Sequence, residues 1–184
     1  TSGFQHPPML LEFKNGFDIA NWGLIPNWIK DERAAKDIRT KTINARLETL
    51  QEKPSFQTAF EKGRAVLSVD GFFDFSKDRQ KTIPHFLYQK DRASLFLACV
   101  KDEWVNETSG ELVSSFSIVT QKGVGIIESI HTDKEPRLPV ILTEASISVW
   151  LEEGVVSENK IALELISHKV NPLSGKSYIG NVPE

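Results

Sequence analysis

Three short polar motifs stand in otherwise apolar surroundings: Asn44-Ala45-Arg46-Leu47-Glu48-Thr49, Asp70-Gly71-Phe72-Phe73-Asp74-Phe75, and Ile130-His131 with Arg137-Leu138-Pro139 beyond it. Together they supply an amide, carboxylates, an imidazole and two guanidiniums, the inventory of a site that moves protons beside a phosphate. If the backbone at Asn44 is extended, alternate side chains share a face, and Asn44 and Arg46 present together to one ligand. The amide would orient that ligand and the guanidinium would hold its anion. Glu48 falls on the same face, where a structural ion pair with Arg46 is the competing use.

Asp74 is set among Phe72, Phe73 and Phe75. A carboxylate partly desolvated by phenyl rings keeps its proton closer to neutrality, which suits proton transfer. The duller alternative is a strand of period two that buries Phe73 and Phe75 and turns Asp74 outward with Phe72. His131 follows the apolar Ile126, Ile127 and Ile130 and is expected at a helix end. Its imidazole suits both acid and base work at pH 7, although a lone histidine there also serves structure. Trp22 and Trp28, close to Gly23 and Pro26, are either base-stacking platforms or core packing. Cys99, inside Leu95-Phe96-Leu97-Ala98-Cys99-Val100, is expected to be an inert core thiol.

These motifs need elements to position them. Arg64 to Val69 alternates, with Ala65, Leu67 and Val69 on one face, and predicts a strand that delivers Asp70-Gly71 to a turn. Ser94 to Val100, Leu112 to Thr120, His85 to Gln89 and Leu138 to Leu142 are further strand candidates, with Asn106 to Gly110 as a turn-rich separator. Ser55 is placed to cap a helix over Phe56 to Lys62 that exits at Gly63. Thr143 is placed to cap a second helix through Leu151, and Ser157 a third through Ile166. The pattern is α+β, one strand-rich domain over residues 1–184 whose antiparallel sheet curls toward a barrel, with a few short helices.

Composition narrows the classes. With 184 residues, 40% of them hydrophobic, the chain suffices for one core without staples. A single cysteine excludes an internal disulfide and suits a reducing cytoplasm, and no Cys/His pattern suggests zinc or another cofactor. No run approaches a membrane span. A net charge of −3 argues against a protein coated in nucleic acid. Locally the balance differs, since Lys30 to Arg46 carries six basic residues against three acidic ones and leads straight into the first motif. That segment is either a solvated surface helix or loop, or an electrostatic approach for a DNA backbone.

The order and wording of the motifs resemble the SOS-response-associated peptidase family, whose members bond covalently to abasic sites in single-stranded DNA. Asn44-Ala45-Arg46-Leu47-Glu48-Thr49 carries the likeness most specifically. Trp22-Gly23-Leu24-Ile25-Pro26-Asn27-Trp28 resembles the family's Trp-Gly…Pro…Trp segment, and His168-Lys169-Val170 with Gly180-Asn181 resembles its ending. There are departures. Asp74 stands where the family typically has Glu, Ile29 where an aromatic residue is common, and Thr132 to Pro136 intervene between His131 and Arg137 as an enlarged loop. The family's nucleophile, a cysteine directly after the initiator methionine, is not among these residues, and the expectation is that an N-terminal piece of the natural protein carries it.

The resemblance implies catalytic roles for Asn44, Asp74 and His131, and DNA contacts for Arg46, Arg137, Trp28 and Thr120. It implies no cofactor, a monomer without membrane attachment, single-stranded DNA with abasic sites as partner, and a cytoplasmic, nucleoid-associated location. Removal of the methionine in front of the cysteine would be the peptidase step. Two other classes stay open: a nucleophile-less module that binds single-stranded DNA, and a hydrolase that uses Asp74 and His131 directly.

Overall fold

Residues 64–69 show how this chain builds a sheet with two buried faces. Ala65 and Leu67 point into one core and Val66 into another, so both sides of the strand carry apolar side chains. A computed structural model describes residues 2–78, 81–130, 135–156 and 164–170. Among them β1 (Pro8–Phe13) and β2 (Gly16–Trp22) form a hairpin, followed by helix α1 (Glu32–Lys41), the short β3 (Asn44–Arg46) and a 3-10 turn at Leu47–Thr49. Helix α2 (Pro54–Lys62) leads into β4 (Arg64–Val69), β5 (Phe72–Asp78), β6 (Lys81–Gln89), β7 (Leu95–Val105) and β8 (Leu112–Lys122). Helix α3 (Ile126–Ile130), β9 (Arg137–Pro139), β10 (Ile141–Leu142), α4 (Glu144–Glu153) and β11 (Leu165–Lys169) complete the described elements.

Strands β7, β4, β1, β2 and β8 close into a ring through the β7–β8 pairing, giving a five-stranded barrel. The expected curled, barrel-like sheet is present, and two of its pairings, β2–β8 and β3–β8, are parallel. Its interior holds Leu11, Ala20, Ala65, Leu67, Leu97, Cys99, Phe116 and Ile118. Outside the ring a second core of Val66, Ala98, Val100 and Val119 is covered by Phe56 and Ala59 of α2 and Trp150 of α4. Trp150 is fully buried, with its indole N–H donated to the Ala65 carbonyl at 2.9 Å. Truncation of such an anchor to alanine costs about 3–5 kcal/mol. A separate three-stranded sheet, in the order β11-β6-β5, combines the β5–β6 hairpin inserted between β4 and β7 with β11, which follows α4.

Several boundaries differ from the sequence expectation. Pro54 opens α2 at its first turn, where a missing N–H costs nothing, and Lys53 rather than Ser55 stands at the cap without a side-chain bond. Thr143 does cap α4, in a reciprocal box with Ser146, and Gly154 ends it in the left-handed region at φ 71°. The third expected helix is corrected at its end: Leu165 and Ile166 belong to β11, paired to Gln89 and Tyr88, while 157–163 lie outside the described residues. Sheet pairing prevails at Leu165 and Ile166, since a half-buried edge position favours Leu and Ile as well as a helix does. No helix among the described residues is long and apolar enough to cross a membrane.

Candidate functional site

Strand direction brings the motifs to one end of the barrel. β2, β3, β4 and β8 run one way and β1, β7 and β9 the other. The C-terminal ends of β3 and β8 therefore share an end with the exit of β4 at Val69 and the start of β7 at Leu95. Between those two points the chain makes the β5–β6 hairpin of the second sheet, which must sit over that same end. Leu87 of β6, Leu165 of β11, Ile127 of α3 and the partly buried Phe72 of β5 join the barrel interior's core there.

Side-chain parity then decides which groups face inward. In β3, Ala45 pairs with Val119 and is buried against the outer core, whereas Asn44 and Arg46 pair with Ile118 and Thr120, on the barrel-interior side. β3 pairs only with β8 and flares off the ring, so both side chains are exposed. In β5, Phe72 packs on the interior core, and Asp74 shares its side. Phe75, on the other side, is 43% exposed. The duller alternative for Asp74 is thus inverted, because the face carrying the carboxylate is the one turned to the barrel. The neighbouring amide of Phe75 donates to Asp74 Oδ1 at 2.7 Å.

The residue that stands opposite is not among those singled out from the sequence. Asp74 is in register with His85 of β6, which is 7% exposed and whose Nε2 lies 3.0 Å from Ser76 Oγ. A polar residue inside the apolar run Pro84 to Leu87 was the only available signal, and without the register it has no partner. On β11, Lys169 is opposite His85 in turn. His168 faces the other way, its ring edge-on to Phe86 and Tyr88 at 5.8 and 5.5 Å.

Arg137 is held rather than free. Its guanidinium donates two bonds to Glu48 at 2.8 and 2.7 Å and a third to the Thr120 carbonyl at 2.7 Å. Glu48 therefore pairs with Arg137 and not with Arg46, because the 3-10 turn after β3 swings it off the strand's face. The Arg137 hydrogen bonds, foremost among the causes, hold the Glu48 carboxyl down at about 2. Arg46 makes no ion pair among the described residues. Thr120 is buried, with its hydroxyl on the Ala45 carbonyl at 3.4 Å, and serves the β3–β8 seam.

The tryptophans divide. Trp22 stacks on Phe116 at 6.3 Å and donates to the Ile43 carbonyl, so it packs the fold. Trp28 is 51% exposed, tethered by its indole N–H to the Pro54 carbonyl at 3.2 Å, with no hydrogen bond to Asn44, Arg46 or Asp74. Ile29 is buried beside Trp104 and forms no surface wedge. In α1, Lys36 and Lys41 are neutralised by Glu32 and Asp37 one turn away, which weakens the basic segment as a DNA approach. His131 lies outside the described residues, immediately after the end of α3 at Ile130. Gly180-Asn181 lies outside them too.

Against this geometry, residues 5–176 match the family model described as SOS response associated peptidase, SRAP. The chain belongs to that family. Among its relatives, the Bacillus subtilis protein named abasic site processing protein YoqW is 37% identical over 131 residues, covering 71% of this chain and 54% of its own length. The rat protein named abasic site processing protein HMCES is 31% identical over 198 residues, covering 89% and 54%. This SRAP chain thus spans about half the length of those relatives. A Bacteroides thetaiotaomicron crystal structure superposes with TM-score 0.83 at 28% identity, over 93% of this chain and 77% of that one. A Bordetella bronchiseptica structure gives 0.79 at 22% identity, over 91% and 85%, and shares the SRAP barrel.

Proposed function

We propose that the chain is the DNA-facing body of an abasic-site processing protein, receiving the ring-opened sugar of an abasic site in single-stranded DNA at the barrel end. The observation that carries this reading is the common side of Asn44, Arg46 and Asp74 at that end. The names borne by the Bacillus and rat relatives supply the substrate class. Arg46, exposed and without an ion pair among the described residues, grips a phosphate beside the lesion. Asn44 orients the reacting groups, Asp74 carries protons at the attacking amine, and His131 assists sugar opening. The location implied by this partner is that of the chromosome, in a cytoplasmic, nucleoid-associated protein.

The nucleophile in this reading is an N-terminal cysteine outside the 184 residues, exposed by removal of a preceding methionine. Its α-amine condenses with the sugar aldehyde and releases water. Its thiol then adds across the imine, the thiol proton passing to nitrogen, and a five-membered ring closes. Cys99 is no substitute, being fully buried in the barrel with its thiol pushed strongly toward the protonated form by desolvation.

The test is incubation of the full-length protein with single-stranded DNA bearing one abasic site, followed by a denaturing gel. A heat-stable shifted band that disappears when the N-terminal cysteine becomes alanine supports the covalent reading. Asp74→Asn is expected to slow its formation by roughly a hundredfold, the scale of a general acid–base group. Arg46→Ala should reduce the slope of log affinity against log salt by about 0.7, one phosphate on a single strand. Salt-dependent binding without a band would establish a module that holds DNA without chemistry, and neither band nor binding would favour the hydrolase.

A further inference from the structure

Outside the three motifs, the most unusual titratable group in the described structure is His85. It is buried, it stands on the inward face of the second sheet, and nothing in the abasic-site reading uses it. Directly opposite residues on paired antiparallel strands have their Cβ atoms about 4.5–5.5 Å apart, within reach of a carboxylate and an imidazole. Asp74 and His85 are such a pair. Ser76, two residues along β5 on the same face, fixes the far end of the ring through Nε2 at 3.0 Å.

We propose that His85 is a positioning residue for Asp74, an internal imidazole across the strand pair that orients the carboxylate toward the barrel end. It acts through Asp74 and need not touch DNA. Among the described residues, its cross-strand neighbours on this face are Asp74 and Ser76 of β5, and Lys169, opposite, with Ser167 beside Leu87, on β11. Apolar packing on this face comes from Phe72, Leu87, Leu165 and Ile127. Apolar packing strengthens the mutual influence of carboxylate and imidazole, because little water screens them. A carboxylate directly across the strand pair favours the imidazolium, so removing it is felt at His85.

This inference rests on Asp74 as the proton carrier, and its test separates the two. The Cε1–H resonance of His85 is titrated in the full-length protein and in Asp74→Asn. Loss of the carboxylate should lower the His85 midpoint by about one pH unit. Ser76→Ala should alter the balance of its tautomers in ring 15N shifts without unfolding the sheet. In the crosslinking assay, His85→Gln should displace the pH–rate profile while the final yield of adduct is retained. A His85 midpoint identical in wild type and Asp74→Asn would overturn the proposal. So would a His85→Gln pH–rate profile that overlays the wild type's. Coupled titration in a protein that forms no adduct would instead overturn the abasic-site reading alone and leave the Asp74–His85 pair standing. Should His85→Gln fail to fold, the Asp74→Asn titration still decides.

Discussion

At the scale of single residues, the bidentate pair between Glu48 and Arg137 gives the Asn-Ala-Arg motif a structural neighbour rather than a second phosphate grip. It ties the turn after β3 to the first residue of β9 across the end of β8, and so holds Arg46 clear of its own acidic neighbour. The Glu48 carboxyl, lowered from 4.5 to about 2, gives the sign of the pH effect. A depressed carboxyl contributes stability above its unfolded value, and the contribution is lost as pH falls from about 4.5 through about 2. Half of the Glu48 side chain is exposed, so solvent screening keeps the contribution to about 1 kcal/mol or less. Glu48→Gln should therefore lower Tm at pH 7 by roughly 2–4 °C at most and flatten the acid limb of stability between those pH values. Thermal melts at pH 7, 4 and 2.5 check it, and parallel wild-type and variant curves throughout would remove the pair's assigned role.

At the scale of elements, the crossing from β4 to β5 is where the barrel hands the chain to the second sheet. Gly71 sits at that crossing, and a Cβ there would overlap the Leu87 carbonyl and approach the Phe86 ring at 2.5 Å. A backbone oxygen cannot step aside as a flexible side chain can, so Gly71→Ala should cost about 1–3 kcal/mol. The cost should be local: amides of β5 and β6 should exchange faster while those of β4 and β7 keep their protection, as hydrogen exchange would measure. Uniform loss of protection would mean that the second sheet and barrel are one cooperative unit. The alternation that predicts Arg64–Val69 as a strand is what makes it legible, since Ala65, Leu67 and Val69 recur in period two on one face while Arg64 and Ser68 flank Val66 on the other. β1 and β2 are less legible because Leu10, Phe17 and Ile19 are exposed and blur the pattern. For the site, the shared face of Asn44 and Arg46 follows from their spacing once the segment is extended, whereas the inward face of Asp74 is not legible. That face is fixed by Phe72 docking on the barrel core, the Glu48–Arg137 pair joins residues far apart in sequence, and the placement of His85 opposite Asp74 depends on the register of the β5–β6 hairpin.

At the scale of the whole molecule, two layers of buried polar bonds lock the loop before β3 onto the barrel. Ser115 Oγ accepts the Ile25 amide at 2.7 Å, Thr42 Oγ1 donates to the Leu24 carbonyl at 2.6 Å, and Ser117 donates to the Thr42 carbonyl. β8 therefore organises both the ring and the strand that carries Asn44 and Arg46, and the site end cannot loosen independently of the barrel's centre. Cys99 reports on that centre. It lies in β7 between Ala65 of β4 and Ile118 of β8, fully buried, with its thiol held in the protonated form by desolvation. Thiol reagents attack the thiolate, so two barriers, access and ionisation, must fall together before Cys99 reacts. Only an opening that separates β7 from its neighbours removes both. Labelling of the 184-residue chain, whose one cysteine is Cys99, by Ellman's reagent should accordingly be absent in native buffer over hours, rise with urea in step with loss of tertiary signal, and reach one equivalent per chain when unfolded. A labelling rate in native buffer that ignores urea would show that the barrel opens locally at β7, and that the second sheet sits on a platform less rigid than its packing implies.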